Sequence, residues 1–370
     1  MSLSLLPALN GLLFFTFLSL GWGQGNVLYV GTTYTPHGDY RHDVPAISSR
    51  NLLDLKFAEY SFSKQSTLRI DVKYRDRFLV NYVYGFNSSS HVYFLTVQRR
   101  SHLPGHEEQG YITRISRACV TDANFDTYTE VTLECGDSGR FNLVQDAYLV
   151  ERSDSLSHRF HTVRNDSFLV ASFAKSQHGK FTTKKISLLY FMMHQFQMDL
   201  YRSSSASSKY QNTSSAVCIF SLSEIDRRFD ENIHNCLNGS TIHRNMEYIS
   251  GTISEGKCPE KVGAAGNILN FCEVGLKISG TYPIVSNPVY ITNHEAVTSV
   301  YYSDIHGQPN IGVLILGSST GNVKSIVMSS TSNESDDLRV LATQALSEAD
   351  PVIKLMLTPQ QDHIIVSSEN

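Results

Sequence analysis

The sequence predicts an all-β fold, and three observations carry that prediction. Tyr and Phe number 19 each, while Ala- or Leu-rich blocks of helical period are scarce; aromatic and β-branched side chains fill a pleated surface well. Short apolar runs recur between Gly, Asn, Ser and Pro, and their continuous apolarity suits strands buried on both faces. Several runs pass through a turn into an alternating strand. The clearest is Gly312-Val-Leu-Ile-Leu-Gly317, a turn at residues 318–321, then a strand in which Val323, Ser325 and Val327 share one face and Lys324 takes the other. Such strand–turn–strand units suit propeller blades, and the pattern alone leaves a sandwich open. At 370 residues the chain can bury a large core, as one large domain or two smaller ones.

Taken in order, residues 12–20 are apolar, and Gly21-Trp-Gly23 offers a small-x-small cleavage site. Residues 1–23 therefore read as a secretory leader, although no Lys or Arg precedes Arg41. No later stretch is long and apolar enough to span a bilayer. Strands are predicted at Val27-Leu-Tyr-Val30, residues 77–80, Val92-Tyr-Phe-Leu-Thr-Val97, residues 167–172, residues 313–316 and residues 363–366. Residues 180–197 interrupt the pattern with an apolar cluster that lacks a turn partner, and a Ser-rich loop follows to residue 215. Residues 180–215 are read as an insertion or long loop. One helix is predicted near residues 221–229, where Ser221 and Glu224 form a capping box and Ile225 and Phe229 share a face.

The net charge is −4 and no dense Lys/Arg tract appears, so nucleic-acid binding has no electrostatic footprint here. The six cysteines, Cys119, Cys135, Cys218, Cys236, Cys258 and Cys272, contain no C-x-x-C pair of zinc-ribbon spacing. An even count behind a leader implies three disulfides, for which sequence alone permits 15 pairings. Asn87, Asn165, Asn212, Asn238 and Asn333 head five glycosylation sequons, which agrees with a secretory route.

Constellations that could carry chemistry have plainer explanations. Cys135-Gly-Asp-Ser-Gly139 has a protease-like ring to it, but Ser138 has no Ala-Ala-His-Cys-like partner segment, and a turn after a strand explains it. His37, Asp39, His42 and Asp43 lie between Pro36 and Pro45 and read as an exposed loop instead of a metal site. His102, His106, Glu107 and Glu108 surround Pro104-Gly105 without the helical spacing of a zinc motif and read as a solvated turn. Lys73, Arg75 and Arg77, with Asp71 and Asp76, read as an exposed, ion-paired strand face. No enzyme, metal, cofactor or small-molecule substrate is expected.

Gly110-Tyr-Ile-Thr-Arg-Ile-Ser-Arg-Ala-Cys119 and Tyr128-Thr-Glu-Val-Thr-Leu-Glu-Cys135 closely resemble the sema domain of plexins, the receptors for semaphorins. The resemblance runs collinearly from residues 28–41 through 68–86, 92–97 and 114–119 to Ala216-Val-Cys-Ile-Phe-Ser-Leu222 and Leu314-Ile-Leu-Gly-Ser-Ser-Thr-Gly321. Its Ser-rich loop and Ile225-Asp-Arg227 lean toward a B-type plexin. The resemblance implies a seven-bladed β-propeller, and here an incomplete one whose N-terminal blades are missing, within a partial sema domain at residues 24–370. It implies the disulfides Cys119–Cys272, Cys135–Cys218 and Cys236–Cys258, with the first enclosing the others. It also implies binding to the sema domain of a semaphorin, homodimerisation in a parent single-pass plasma-membrane receptor, and a contact surface that includes loops such as His37, Asp39, Tyr40, Arg41 and His42. The alternative is a secreted decoy or the non-functional product of a truncated gene.

Overall fold

The computed structural model describes residues 14–20, 26–33, 44–175, 214–329 and 339–368, apart from 62–63, 76–77, 79, 104, 107–108, 138–139, 252–255, 259–269, 274, 347–349 and 359–362. In chain order the strands are β1 (Phe14–Leu20), β2 (Asn26–Thr32), β3 (Ile47–Asn51), β4 (Glu59–Ser61), β5 (Lys64–Gln65), β6 (Thr67–Leu68), β7 (Val80–Ser88), β8 (His91–Arg99), β9 (Tyr111–Cys119), β10 (Thr129–Cys135) and β11 (Phe141–Val150). A short helix α1 (Asp154–Arg159) precedes β12 (Phe168–Lys175), β13 (Ser215–Ser221) and the longer α2 (Leu222–Leu237). Then follow β14 (Ile278–Ser279), β15 (Ile284–Ser286), β16 (Pro288–Thr292), β17 (Val297–Ile305), β18 (Gln308–Ser318), β19 (Asn322–Ser329), β20 (Arg339–Ala345), β21 (Val352–Leu357) and β22 (Ile364–Ser368). The chain divides into two compact units, Met1–Leu133 with Arg227–Ile284, and Glu134–Asp226 with Val285–Asn370.

In the first unit, one antiparallel sheet runs β1-β2-β3-β6. Its first strand lies inside the segment read as a leader, and Phe14 stands opposite Thr32 and Leu20 opposite Asn26. A second sheet stacks β7, β8, β9 and β10 as an antiparallel meander, with β14 added in parallel at Thr129 and Glu130. Seven successive residues of β8, from Val92 to Gln98, are buried, which matches a continuously apolar strand covered on both faces. Tyr29, Ile47, Leu68, Tyr82, Phe94, Phe125 and Tyr248 belong to one core cluster. Gly31 is required there: a Cβ would meet Tyr82 Cδ1 at 2.6 Å.

In the second unit, β11, β12, β13 and β16 form one antiparallel sheet, and β17, β18, β19 and β20 form another. A hairpin pairs β21 with β22. Phe168, Val170, Val217, Ile219, Tyr302, Leu314 and Met328 share a core cluster, and Tyr301, Ile315, Val352 and Leu355 form another. Odd and even residues of β18 thus feed different clusters. A Cβ on Gly312 would run into the buried Tyr302 hydroxyl and crowd Ser155 Oγ.

Two local expectations are corrected. Residues 71–75 form a turn, not a strand face: Tyr74 and Arg75 N–H donate to the Asp71 carbonyl, and Lys73 N–H donates to the Asp71 carboxylate at 2.9 Å. A short acidic side chain that bonds its own backbone two residues on competes with strand pairing. The helix after Ser221 extends to Leu237, two turns beyond the predicted end. In β19 the expected alternation holds, with Val323, Ser325 and Val327 on one face; the fully buried residues, Ile326 and Met328, lie on the Lys324 face, where Lys324 is accommodated by an ion pair with Glu295.

Candidate interaction surface

The cysteines form the disulfides Cys119–Cys272, Cys135–Cys218 and Cys236–Cys258, the pairs that the plexin resemblance implies. Each bridge closes within one of the two units. Cys119 ends β9, Cys135 ends β10, Cys218 lies within β13 and Cys236 occupies the last turn of α2. His91 Nε2 lies 3.6 Å from Cys272 Sγ, so that a histidine and two cysteines converge. The two sulfurs are bonded to each other and supply no thiolate ligands. Burial, then the Arg117 charge, lowers the His91 pKa from 6.5 to about 4, against an opposing pull from Asp230.

Charged groups inside the first unit hold elements together. Arg117, on β9, is buried; its Nη2 donates to Asp230 Oδ1 at 2.6 Å, and its guanidinium lies 4.7 Å from the Phe229 ring centroid. Glu130 on β10 is 1% exposed and accepts from Gln98 Nε2 at 3.2 Å and Ser279 Oγ at 3.0 Å. Arg114 Nε faces it at 3.7 Å. Burial, then the Glu130 carboxylate, holds the Tyr248 phenol well above its ordinary value. His102 is not solvated as the sequence suggested: it contacts Glu247 at 3.1 Å and packs edge-on against Tyr74. These pairs are positioned to stabilise packing.

Among the described sequons, Asn87, Asn165 and Asn238 are all exposed, on a strand end, a turn and the end of α2. Asn212 and Asn333 lie outside the described residues. So do the partner-contact residues His37, Asp39, Tyr40, Arg41 and His42, along with residues 180–213 of the expected insertion. Ser138 and the Glu107–Glu108 pair fall outside them too. Gly136 forms the expected turn after β10, with φ 81° and its N–H donated to Ser286.

The sequence reading missed an apolar loop tip after β3. Leu52, Leu53 and Leu55 are 42%, 101% and 49% exposed. The loop is nevertheless well braced. Arg50 Nη1 donates to the Leu55 carbonyl at 2.9 Å, Asn51 N–H donates to the Lys56 carbonyl, Leu55 N–H donates to the Asn51 carbonyl, and Asp54 Oδ1 accepts from Lys56 N–H. Leu55 adopts φ 56° to close it. Adjacent leucines inside a polar turn were the available signal, since a turn ordinarily carries Gly, Asn or Asp. A braced tip presenting aliphatic side chains can dock into an apolar recess with little ordering cost.

The Sema domain family matches residues 202–359. Plexin-A3 of Rattus norvegicus is 24% identical over 365 residues, covering 94% of this chain and 17% of its own length. Plexin-A2 of Homo sapiens is 25% identical over 324 residues, covering 82% of this chain and 15% of its own length. The chain thus spans less than a fifth of these relatives. Among solved structures, a Plexin A4 full extracellular region superposes with a TM-score of 0.74 at 21% identity, over 96% of this chain and 33% of that one. A structure of Drosophila Plexin A in complex with Semaphorin 1b gives a TM-score of 0.51 at 13% identity, over 96% of this chain and 72% of that one. The fold is accordingly all-β and of the Sema propeller class. These plexins are A-type, not the B-type toward which the Ser-rich loop and residues 225–227 lean. A loop and a tripeptide carry too little sequence to set a subclass, and Ile225 is buried for packing.

Proposed function

We propose that this chain, a Sema-domain relative of the plexins, is part of a receptor ectodomain that binds the Sema domain of a semaphorin. Collinear similarity to plexins across nearly the whole chain carries the reading. A solved complex of Drosophila Plexin A with Semaphorin 1b, one chain of which shares this fold, supports it, as do the disulfide frame and the exposed sequons. In this reading residues 1–23 direct secretion, the parent receptor is anchored in the plasma membrane, and ligand-driven homodimerisation carries the signal. Among the described residues, no helix is long and apolar enough to cross a membrane.

Contact falls to loops. Residues 37–42 supply polar and aromatic groups, and Leu52, Leu53 and Leu55 supply an apolar anchor of the kind that dominates interface energetics. The chain is displayed on cells and titrated with a panel of soluble semaphorins. Saturable binding that weakens with added salt is expected, because charge complementarity steers such encounters. Leu53→Asp is expected to weaken binding at least tenfold while leaving thermal stability unchanged, since the side chain touches nothing it would disrupt. A folded, displayed chain that binds no semaphorin overturns the reading. N-terminal sequencing of secreted chain that begins upstream of Gln24 would overturn the leader.

A further inference from the structure

Beside the end of α2 lies an open concavity of ≈ 370 Å³, lined by Ser240, Thr241, Ile242, His243, Asn245, Thr281 and Tyr282. Its lining pairs hydroxyls and an amide with two apolar surfaces, Ile242 at 68% and Tyr282 at 45% exposure. Exposed apolar side chains among convergent polar groups suit an amphipathic ring. A pyranose offers one C–H face to an aromatic ring and its hydroxyls to the rim.

The walls are fixed, and α2 fixes them. The buried Asn232 accepts from the Tyr282 N–H at 3.0 Å and donates to the Tyr282 carbonyl at 3.1 Å. The Asn235 carbonyl accepts from Thr241 N–H at 3.0 Å, and the Ile242 carbonyl accepts from Cys258 N–H at 2.8 Å. Asn238, exposed at the helix end, takes the Ser240 N–H on its carboxamide oxygen at 2.9 Å. That leaves its amide nitrogen as the atom for substitution, at the head of the sequon Asn238-Gly-Ser240, whose last residue lines the concavity.

We infer that the concavity is the seat of an N-linked glycan on Asn238, whose first N-acetylglucosamine lies against Tyr282 and Ile242. In forming it, the anomeric carbon of a lipid-diphosphate-linked oligosaccharide bonds to the Asn238 amide nitrogen. One N–H proton is lost and the lipid diphosphate leaves. The glycan covers apolar surface that the protein itself leaves open, so it belongs to the fold as well as to solubility.

The full chain is secreted from eukaryotic cells and its glycopeptides are measured by mass spectrometry. Asn238 is expected to be occupied. Hydroxyl-radical footprinting is expected to label Tyr282 and Ile242 several-fold less in the glycosylated chain than after enzymatic glycan removal. Tyr282→Ala, which leaves the sequon intact, is expected to speed glycan release under native conditions. Asn238→Gln and Tyr282→Ala should each lower Tm by about 2–4 °C, and the double variant by no more than either, because one contact is lost in each case. Equal labelling and equal release rates overturn the seat even if Asn238→Gln fails to fold. An empty Asn238 beside occupied Asn87 and Asn165 overturns the seat alone; three empty sites would overturn the secretory route with it.

Discussion

Glu130 accepts from Gln98 and Ser279 and faces Arg114, all of them buried or nearly so. Removing a carboxylate from such a set leaves donors without the acceptor that offset their dehydration. Glu130→Ala should therefore cost about 3–5 kcal/mol. Glu130→Gln keeps one acceptor oxygen and should cost about 1–3 kcal/mol; urea unfolding separates the two. His91 adds a pH effect of definite sign. Its folded pKa, about 4, lies below the ordinary 6.5, so the unfolded chain takes up the proton first as pH falls. The stability it contributes is full above pH 6.5 and is lost between 6.5 and 4, to a limit of about 3 kcal/mol. His91→Gln should shrink the fall in urea midpoint between pH 7.5 and 4.5. His102, whose pKa is also lowered, leaves a residual slope.

At the scale of elements, α2 shows what sequence pattern could and could not deliver. Ser221 Oγ accepts from Glu224 N–H at 3.2 Å, so the start of the helix was legible as a cap. Ser221 and Ser223 also donate to the Asp166 carboxylate, a tertiary partner that no local motif announces. The apolar stripe continues through Ile225, Phe229, Ile233 and Leu237, all buried. Asp230, Asn232 and Asn235 disguise it with poor helix formers. Ser221→Ala should cost about 1 kcal/mol and Phe229→Ala about 3–5 kcal/mol, both measurable by chemical denaturation. The β strands were easier: residues 92–97 and 313–316 fall inside β8 and β18, and all but the first of residues 167–172 fall inside β12, because continuous burial writes itself as continuous apolarity. Residues 71–75 misled because charges alternating with apolar groups look like a strand, while Asp71 closes a turn through its own carboxylate.

For the molecule as a whole, each unit carries its own disulfides: Cys119–Cys272 and Cys236–Cys258 in one, Cys135–Cys218 in the other. Fold class was readable because a collinear series of strand motifs needs no three-dimensional knowledge. The proposed contact surface is built by loops, which do not repeat, and the exposed leucines after β3 were passed over for that reason. The Cys236–Cys258 bridge spans 22 residues, for which loop-closure entropy gives about 3 kcal/mol. Replacing both cysteines with Ser should lower stability by that amount, read as a shift in denaturant midpoint, and leave the other two bridges intact by non-reducing peptide mapping.

Gly312 is set in β18 where the Tyr302 hydroxyl occupies the place of a side chain, beside Ser155. Tyr302 is fully enclosed and cannot swing aside cheaply. An inherited change to alanine there would act before any ligand is met. In the receptor proposed above, quality control would detain the chain on its way out, fewer copies would arrive at the cell surface, and those that did would bind as well as their unaltered siblings.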